Sequence, residues 1–182
     1  MLNLTPTPAL KDGSFAIDGI SIALNSDLAL ASLAVRLGQE TPFDEAGKSI
    51  FGGGLPDVEQ VLSSEDFTVF WTGLEAWMVS APFEGFEDLE GVLKAEFKET
   101  ASITEQSGGW ACFDISGPKI HDLMERLVMA DLRSTGPDRV KRCVIEHIGV
   151  FVLTSREGLR LWVPRSFASS LFHALSQAAK SL

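Results

Sequence analysis

Residues 109–127 read GWACFDISGPKIHDLMERL, a strand-like run that stops at Ser116-Gly117-Pro118 and restarts with a helical period. Residues 110–115 are aromatic and apolar apart from Asp114, as suits a half-buried strand. Ile120, Leu123, Met124 and Leu127 then recur at i, i+3, i+4, i+7, one face of a helix. Pro118 is expected at the first helical position, where its missing N–H costs nothing. A Gly-rich strand-to-helix turn is also where a nucleophile or a phosphate can sit. Here the nucleophile-elbow pattern Gly-x-Ser-x-Gly is absent, since the local order is Asp114-Ile115-Ser116-Gly117-Pro118. Pro118 also removes one N–H that an anion site at a helix start would use. The stretch reads as a joint, and Ser116 is not assigned a catalytic role.

The same grammar repeats on both sides. Residues 67–72 (FTVFWT) and 77–80 (WMVS) read as two strands around a short turn, and residues 101–105 and 110–115 as a second strand pair around Gly108-Gly109. Phe86, Leu89, Leu93 and Phe97 form one apolar stripe on an acidic helix. Residues 140–148 (VKRCVIEHI) alternate as one strand, followed by VFVLTS, a turn at Gly158, and LRLWVP. Ser166 is the expected cap of a last helix with Phe167, Leu171, Leu175, Ala178 and Leu182 on one face. Strand pairs separated by helices predict an α+β fold of mainly antiparallel sheets with packed helices, built from ferredoxin-like ββαβ-type units.

Residues 1–51 are less regular. They read as an N-terminal extension with one helix at residues 27–37 (DLALASLAVRL), capped at 25–27 and stopped by Gly38, where Leu30, Leu33 and Leu37 recur at i, i+3, i+7. The turn-rich FDEAGKSIFGGGLP then reads as a connector. Residues 52–182 are expected to form one domain with two lobes, about 52–108 and 109–182.

A chain of 182 residues that is 45% hydrophobic can bury a sizeable core. No run of 18 or more apolar residues is present, which excludes a transmembrane helix. The start MLNLTPTPALKDG lacks the basic and apolar segments of a secretory signal, so a cytoplasmic location is expected. Cys112 and Cys143 form no CxxC pair and read as buried free thiols. A formal net charge of −10 argues against binding nucleic acid or an anionic membrane. The charge is uneven: residues 1–108 hold 5 Lys/Arg and 18 Asp/Glu, net −13, whereas residues 109–182 hold 10 and 7, net +3. Two solvated faces account for this, as does a polarised surface that orients partner chains.

The remaining candidates for chemistry are bland. Gly52-Gly53-Gly54 is followed by Leu55-Pro56 and lacks the Lys-Ser/Thr of a phosphate loop, so a tight turn is expected. His121, His147 and His173 lie 26 residues apart each time, which matches no metal motif. Four tryptophans and twelve phenylalanines supply core, with Trp71, Trp77 or Trp162 as candidate interface anchors. No catalytic, cofactor-binding or metal-binding residue is assigned.

Several segments together resemble the gamma subunit of heterotetrameric sarcosine oxidases. They are Leu55-Pro56, Thr72-Gly73-Leu74-Glu75-Ala76-Trp77-Met78-Val79, Ile115-Ser116-Gly117-Pro118 with Met129-Ala130-Asp131-Leu132 after the helix, and Arg165-Ser166-Phe167-Ala168. Their order and spacing over residues 52–182 carry the resemblance. One departure is Leu74-Glu75-Ala76 where the family has Pro-Asp-Glu; dimethylglycine and N-methylglutamate dehydrogenases have similar subunits. The resemblance implies a folate-binding, aminomethyltransferase-like fold. It further implies a non-catalytic structural subunit of a complex that oxidatively demethylates an N-methyl amino acid. Its partners would be alpha, beta and delta subunits carrying FAD, FMN, NAD, tetrahydrofolate and zinc. The alternative is a stand-alone folate-binding or aminomethyltransferase-like protein. True aminomethyltransferases carry an acidic residue by a Gly-Gly turn after the SGP-type helix. Here that hairpin is His147-Ile148-Gly149-Val150-Phe151, which leaves only Glu146 or Glu157 as candidates, neither in the expected setting.

Overall fold

Two antiparallel sheets lie face to face, each backed by a pair of helices on its outer side. The computed structural model describes residues 7–182; the first six residues of the amino-terminal start lie outside them. The chain runs β1 (Ser14–Ile17), β2 (Ile20–Asn25), β3 (Leu28–Val35), α1 (Glu40–Phe51), β4 (Val61–Ser63), β5 (Thr68–Gly73), β6 (Ala76–Pro82) and α2 (Leu89–Phe97). It continues with β7 (Ala101–Glu105), β8 (Trp110–Ser116), α3 (Ile120–Glu125), β9 (Arg139–Ile145), β10 (Ile148–Thr154), β11 (Leu159–Pro164) and α4 (Ala168–Lys180). One sheet has the order β1-β2-β8-β11-β10-β9, the other β4-β5-β6-β3-β7. The fold is therefore α+β with antiparallel sheets and packed helices, as the sequence predicts.

Alternation along the strands creates three apolar layers. In β11, Leu159, Leu161 and Val163 face α3 and α4, whereas Trp162 faces the other sheet. In β10, Ile148, Val150 and Val152 take the helix side, with Phe151 and Leu153 between the sheets. The second sheet does the same: Ala29, Ala31 and Leu33 of β3 pack with Phe43, Leu93 and Phe97 of α1 and α2, and Leu30 points between the sheets. A period of two thus feeds two cores from each central strand.

The two sheets are versions of one design. The unit β3-α1-β4-β5-β6-α2-β7 gives the order β4-β5-β6-β3-β7. The unit β8-α3-β9-β10-β11-α4 gives β9-β10-β11-β8, and β2 from the start of the chain fills the place that β7 holds in the first unit. Residues 52–108 supply four strands of one sheet and residues 109–182 four of the other, while the segment before them contributes β1 and β2 to one sheet and β3 to the middle of the other.

Several expectations need correction. Residues 28–35 are the strand β3, and the expected connector holds a helix, α1. The LALASLAV segment is buried on both faces in a sheet centre, where the two-residue alternation fades and neighbours override alanine's helical preference. In α1, the buried Gly47 interrupts the apolar stripe between Phe43 and Phe51; a Cβ there would stand 2.1 Å from Leu55 Cδ2. β7 and β8 do not pair: β7 joins β3 and β8 joins β2 and β11, so the chain changes sheets at Gly108-Gly109. Residues 140–148 split into β9 and β10 around Glu146-His147, both at positive φ (48° and 69°), the geometry of a two-residue hairpin. The third helix starts at Ile120, leaving Pro118 in the preceding turn, and Ser166 makes no capping bond to α4. The buried face of that helix is Ala168, Leu171, Ala174, Leu175 and Ala179, with Phe167 47% exposed beyond its start.

Candidate functional site

The Ser116-Gly117-Pro118 joint is where the amino-terminal hairpin crosses β8. Ser116 ends β8 opposite Ser21 of β2. Gly117 has φ 117°, and a Cβ there would lie 2.0 Å from the carbonyl oxygen of Gly19 in the β1–β2 turn. Only glycine allows both that conformation and that approach. Ser116 lies on a cleft of about 360 Å³ that it shares with Asp114, Asp138, Glu157 and Arg160, and with no histidine, cysteine or lysine.

The carboxylate nearest in sequence is already committed. Asp114 accepts from Arg160 Nε (2.7 Å) and a second guanidinium nitrogen (3.3 Å), and from Asn25 Nδ2 (2.8 Å). These three side chains project from β8, β11 and β2, on the side of the sheet that faces the other sheet. Burial works against the charge of Arg160 more than any single contact favours it, but the hydrogen bond to Asp114 and the charges of Cys112 and Asp114 together raise the guanidinium pKa further. Beside them Cys112 is buried, and that burial, only partly countered by Arg160, pushes its thiol far above the ordinary range. Burial also raises Cys143. Both cysteines are buried free thiols, as expected, and neither has thiolate character.

Between the sheets the site is aromatic. Phe70 lies 5.9 Å from Phe151 and 6.3 Å from Trp162, ring centre to ring centre; Trp110 lies 5.7 Å from Phe151, and the Arg142 guanidinium sits over the Phe151 ring at 5.7 Å. Phe151 and Val150 occupy the hairpin in which the resemblance implies an aminomethyltransferase-like carboxylate. Val150 points to the helices and Phe151 to the other sheet, both buried. Glu146 and Glu157 are exposed, in the turns that open and close β10.

The other candidates separate. His121 is on α3, His147 in the β9–β10 turn and His173 on α4, and among the described residues no three His, Cys, Asp or Glu side chains are grouped to hold a metal. Gly52 ends α1 in the left-handed conformation, so the triple glycine is a helix stop. Trp162 is 3% exposed and serves the inter-sheet core, not an interface. Trp71 and Trp77 are half-buried at one end of the other sheet.

No family model and no curated protein matches the sequence. Among solved structures, the chain is similar to a chain of the heterotetrameric sarcosine oxidase from Corynebacterium sp. U-96, solved with pyrrole 2-carboxylate. The TM-score is 0.77 at 19% identity, over 89% of this chain and 84% of that one. It is also similar to the glycine cleavage system aminomethyltransferase T from Bartonella henselae, with TM-score 0.64 at 13% identity over 86% of this chain. The fold is aminomethyltransferase-like. This chain spans only 45% of the length of that aminomethyltransferase, whereas it nearly matches the sarcosine oxidase chain in length.

Two features of this fold were missed in the sequence. The Asn25–Asp114–Arg160 network left a trace, because Asp114 and Arg160 are charges set inside the apolar runs ACFDIS and LRLWV. The apolar end carrying Val58 and Leu74 left none, since its parts meet only through strand pairing and the Trp77–Pro56 hydrogen bond.

Proposed function

We propose that this chain is a non-catalytic structural subunit of a sarcosine-oxidase-type complex. Its partners are the alpha, beta and delta subunits, which carry FAD, FMN, NAD, tetrahydrofolate and zinc. The complex oxidatively demethylates an N-methyl amino acid, so that sarcosine yields glycine, formaldehyde or methylene-tetrahydrofolate, and hydrogen peroxide. The observation that carries this reading is the likeness, over nearly the whole of both chains, to a component of a heterotetrameric sarcosine oxidase. The aromatic packing of Phe70 and Trp162 against Phe151, in the hairpin where true aminomethyltransferases carry a carboxylate, supports a non-catalytic role. So does the buried, unreactive state of Cys112 and Cys143.

Co-expression with flavin-bearing partner subunits tests it. The expected result is a stable complex that oxidises sarcosine, from which the isolated chain, once separated, shows neither flavin absorbance nor amine oxidation. Sarcosine oxidation by the isolated chain would overturn the reading. Ser116→Ala should leave turnover of the complex within about twofold. Micromolar tetrahydrofolate binding by the isolated chain would instead favour a stand-alone folate-binding protein.

A further inference from the structure

The end of the β3–β7 sheet that holds Trp71 and Trp77 is unusually apolar for a surface. Leu37 is 95% exposed, Leu74 91% and Val58 64%. Leu74 lies at this end because Ala34 pairs with Ala76 and the Val35 N–H donates to the Glu75 carbonyl, which sets the end of β3 beside the β5–β6 hairpin tip. The Trp77 indole donates to the Pro56 carbonyl (2.8 Å) and ties the Leu55–Val58 loop to the same end. Between hairpin, loop and the first turn of α1 lies a groove of about 430 Å³ with Val35, Leu55, Trp71 and Leu74 in its walls. Single exposed apolar residues are ordinary, but a concave cluster containing tryptophan is the usual form of an interface anchor site.

The rim fixes the chemistry of what fits. Glu40, Asp44, Asp57 and Glu75 line the groove, and no lysine or arginine does. Asp44 is paired with Lys48; among the described residues Glu40, Asp57 and Glu75 form no ion pair. Backbone hydrogen bonds, including one from the Gly38 N–H, hold the Glu40 carboxyl below its usual range and keep it charged. The groove belongs to the half of the chain with net charge −13. Two copies meeting through this same patch would set acidic rim against acidic rim.

We propose that this groove docks a flavin-bearing partner subunit, receiving from it an apolar side chain flanked by lysine or arginine. The inference rests on the assembly reading above and names the surface that performs it. Apolar anchors in a pocket supply most of the binding energy, and the complementary charges around them set register and association rate.

The test uses the full-length chain with its flavin-bearing subunits. Association is read as co-elution with flavin absorbance and as a dissociation constant by interferometry. Leu74→Asp and Glu75→Lys should each weaken the complex by about tenfold or more, and Glu75→Lys should flatten its salt dependence. Met129→Asp and Val144→Asp, at exposed apolar positions elsewhere, should change it by less than about twofold. Leu74 is almost fully exposed, so its variant should melt as the parent does, and the melting curve verifies this. If the parent complex forms and Leu74→Asp and Glu75→Lys bind like the parent, the groove assignment is overturned and the assembly reading stands. If the parent chain forms no complex, the assembly reading itself falls. Self-association of the parent chain abolished by Leu74→Asp, with subunit binding intact, would assign the groove to a second copy and overturn the partner proposed here.

Discussion

The unit built around β3 and the unit built around β8 share a strand order but not a surface. The first closes its own sheet with β7, carries the acidic excess and ends in an apolar groove. The second borrows β2 from the start of the chain and spends its special residues on that join: Gly117 against Gly19, and Asn25 of β2 on Asp114 of β8. One topology thus serves two ends, because the apolar alternation that specifies a sheet leaves the outward residues free. The first unit presents surface, and the second secures closure.

The strongest way to break that contrast is Gly117→Ala. Its Cβ would stand 2.0 Å from Gly19 O at a φ that disfavours L-residues, so a loss on the order of 3–5 kcal/mol is expected in urea unfolding. Gly38→Ala, at φ 77° with nothing within 4 Å, bears the conformational cost alone and should lose only about 1 kcal/mol. Equal losses at the two glycines would show that the join is not special. Phe70→Ala removes the fully buried ring that the first unit inserts between the sheets, and should cost about 3–5 kcal/mol. A transition that splits in two after this change would mean that the units fold separately.

Smaller effects sharpen the picture. Arg160→Met removes both bonds from Arg160 to a half-exposed Asp114; solvent screening limits the loss to about 1 kcal/mol, read as a shift in urea midpoint. Smallest is a pH effect at Asp131. The Ser134 hydroxyl and backbone N–H groups hold that carboxyl below its usual range. A depressed carboxyl contributes stability above its unfolded pKa and loses it as pH falls through the folded one. Asp131→Asn should therefore lower stability slightly near neutrality and flatten the fall below about pH 4, leaving the most acid values unchanged.

Most of the fold was legible in the sequence wherever one side of an element faces solvent. The α2 stripe of Leu89, Leu93 and Phe97 stands where its pattern places it. Legibility failed where both faces are buried or where glycine replaces a contact side chain. β3 lost its alternation in the sheet centre, and α1 lost its stripe at Gly47. The β7–β8 hairpin failed for another reason: a Gly-Gly turn signals reversal but not which sheet receives the next strand. The candidate groove was invisible, since Val35, Val58 and Leu74 come to one groove only through the β3–β6 pairing and the Trp77–Pro56 hydrogen bond.

The chain has an aminomethyltransferase-like fold, and the proposed structural role requires that it lack that chemistry. Titration of the purified full-length chain with tetrahydrofolate in a calorimeter tests it most directly, followed by an absorbance spectrum and a sarcosine oxidation assay on the same sample. No binding at micromolar concentrations, no flavin band and no oxidation are the expected results. Micromolar binding with measurable turnover by the chain alone would contradict the claim.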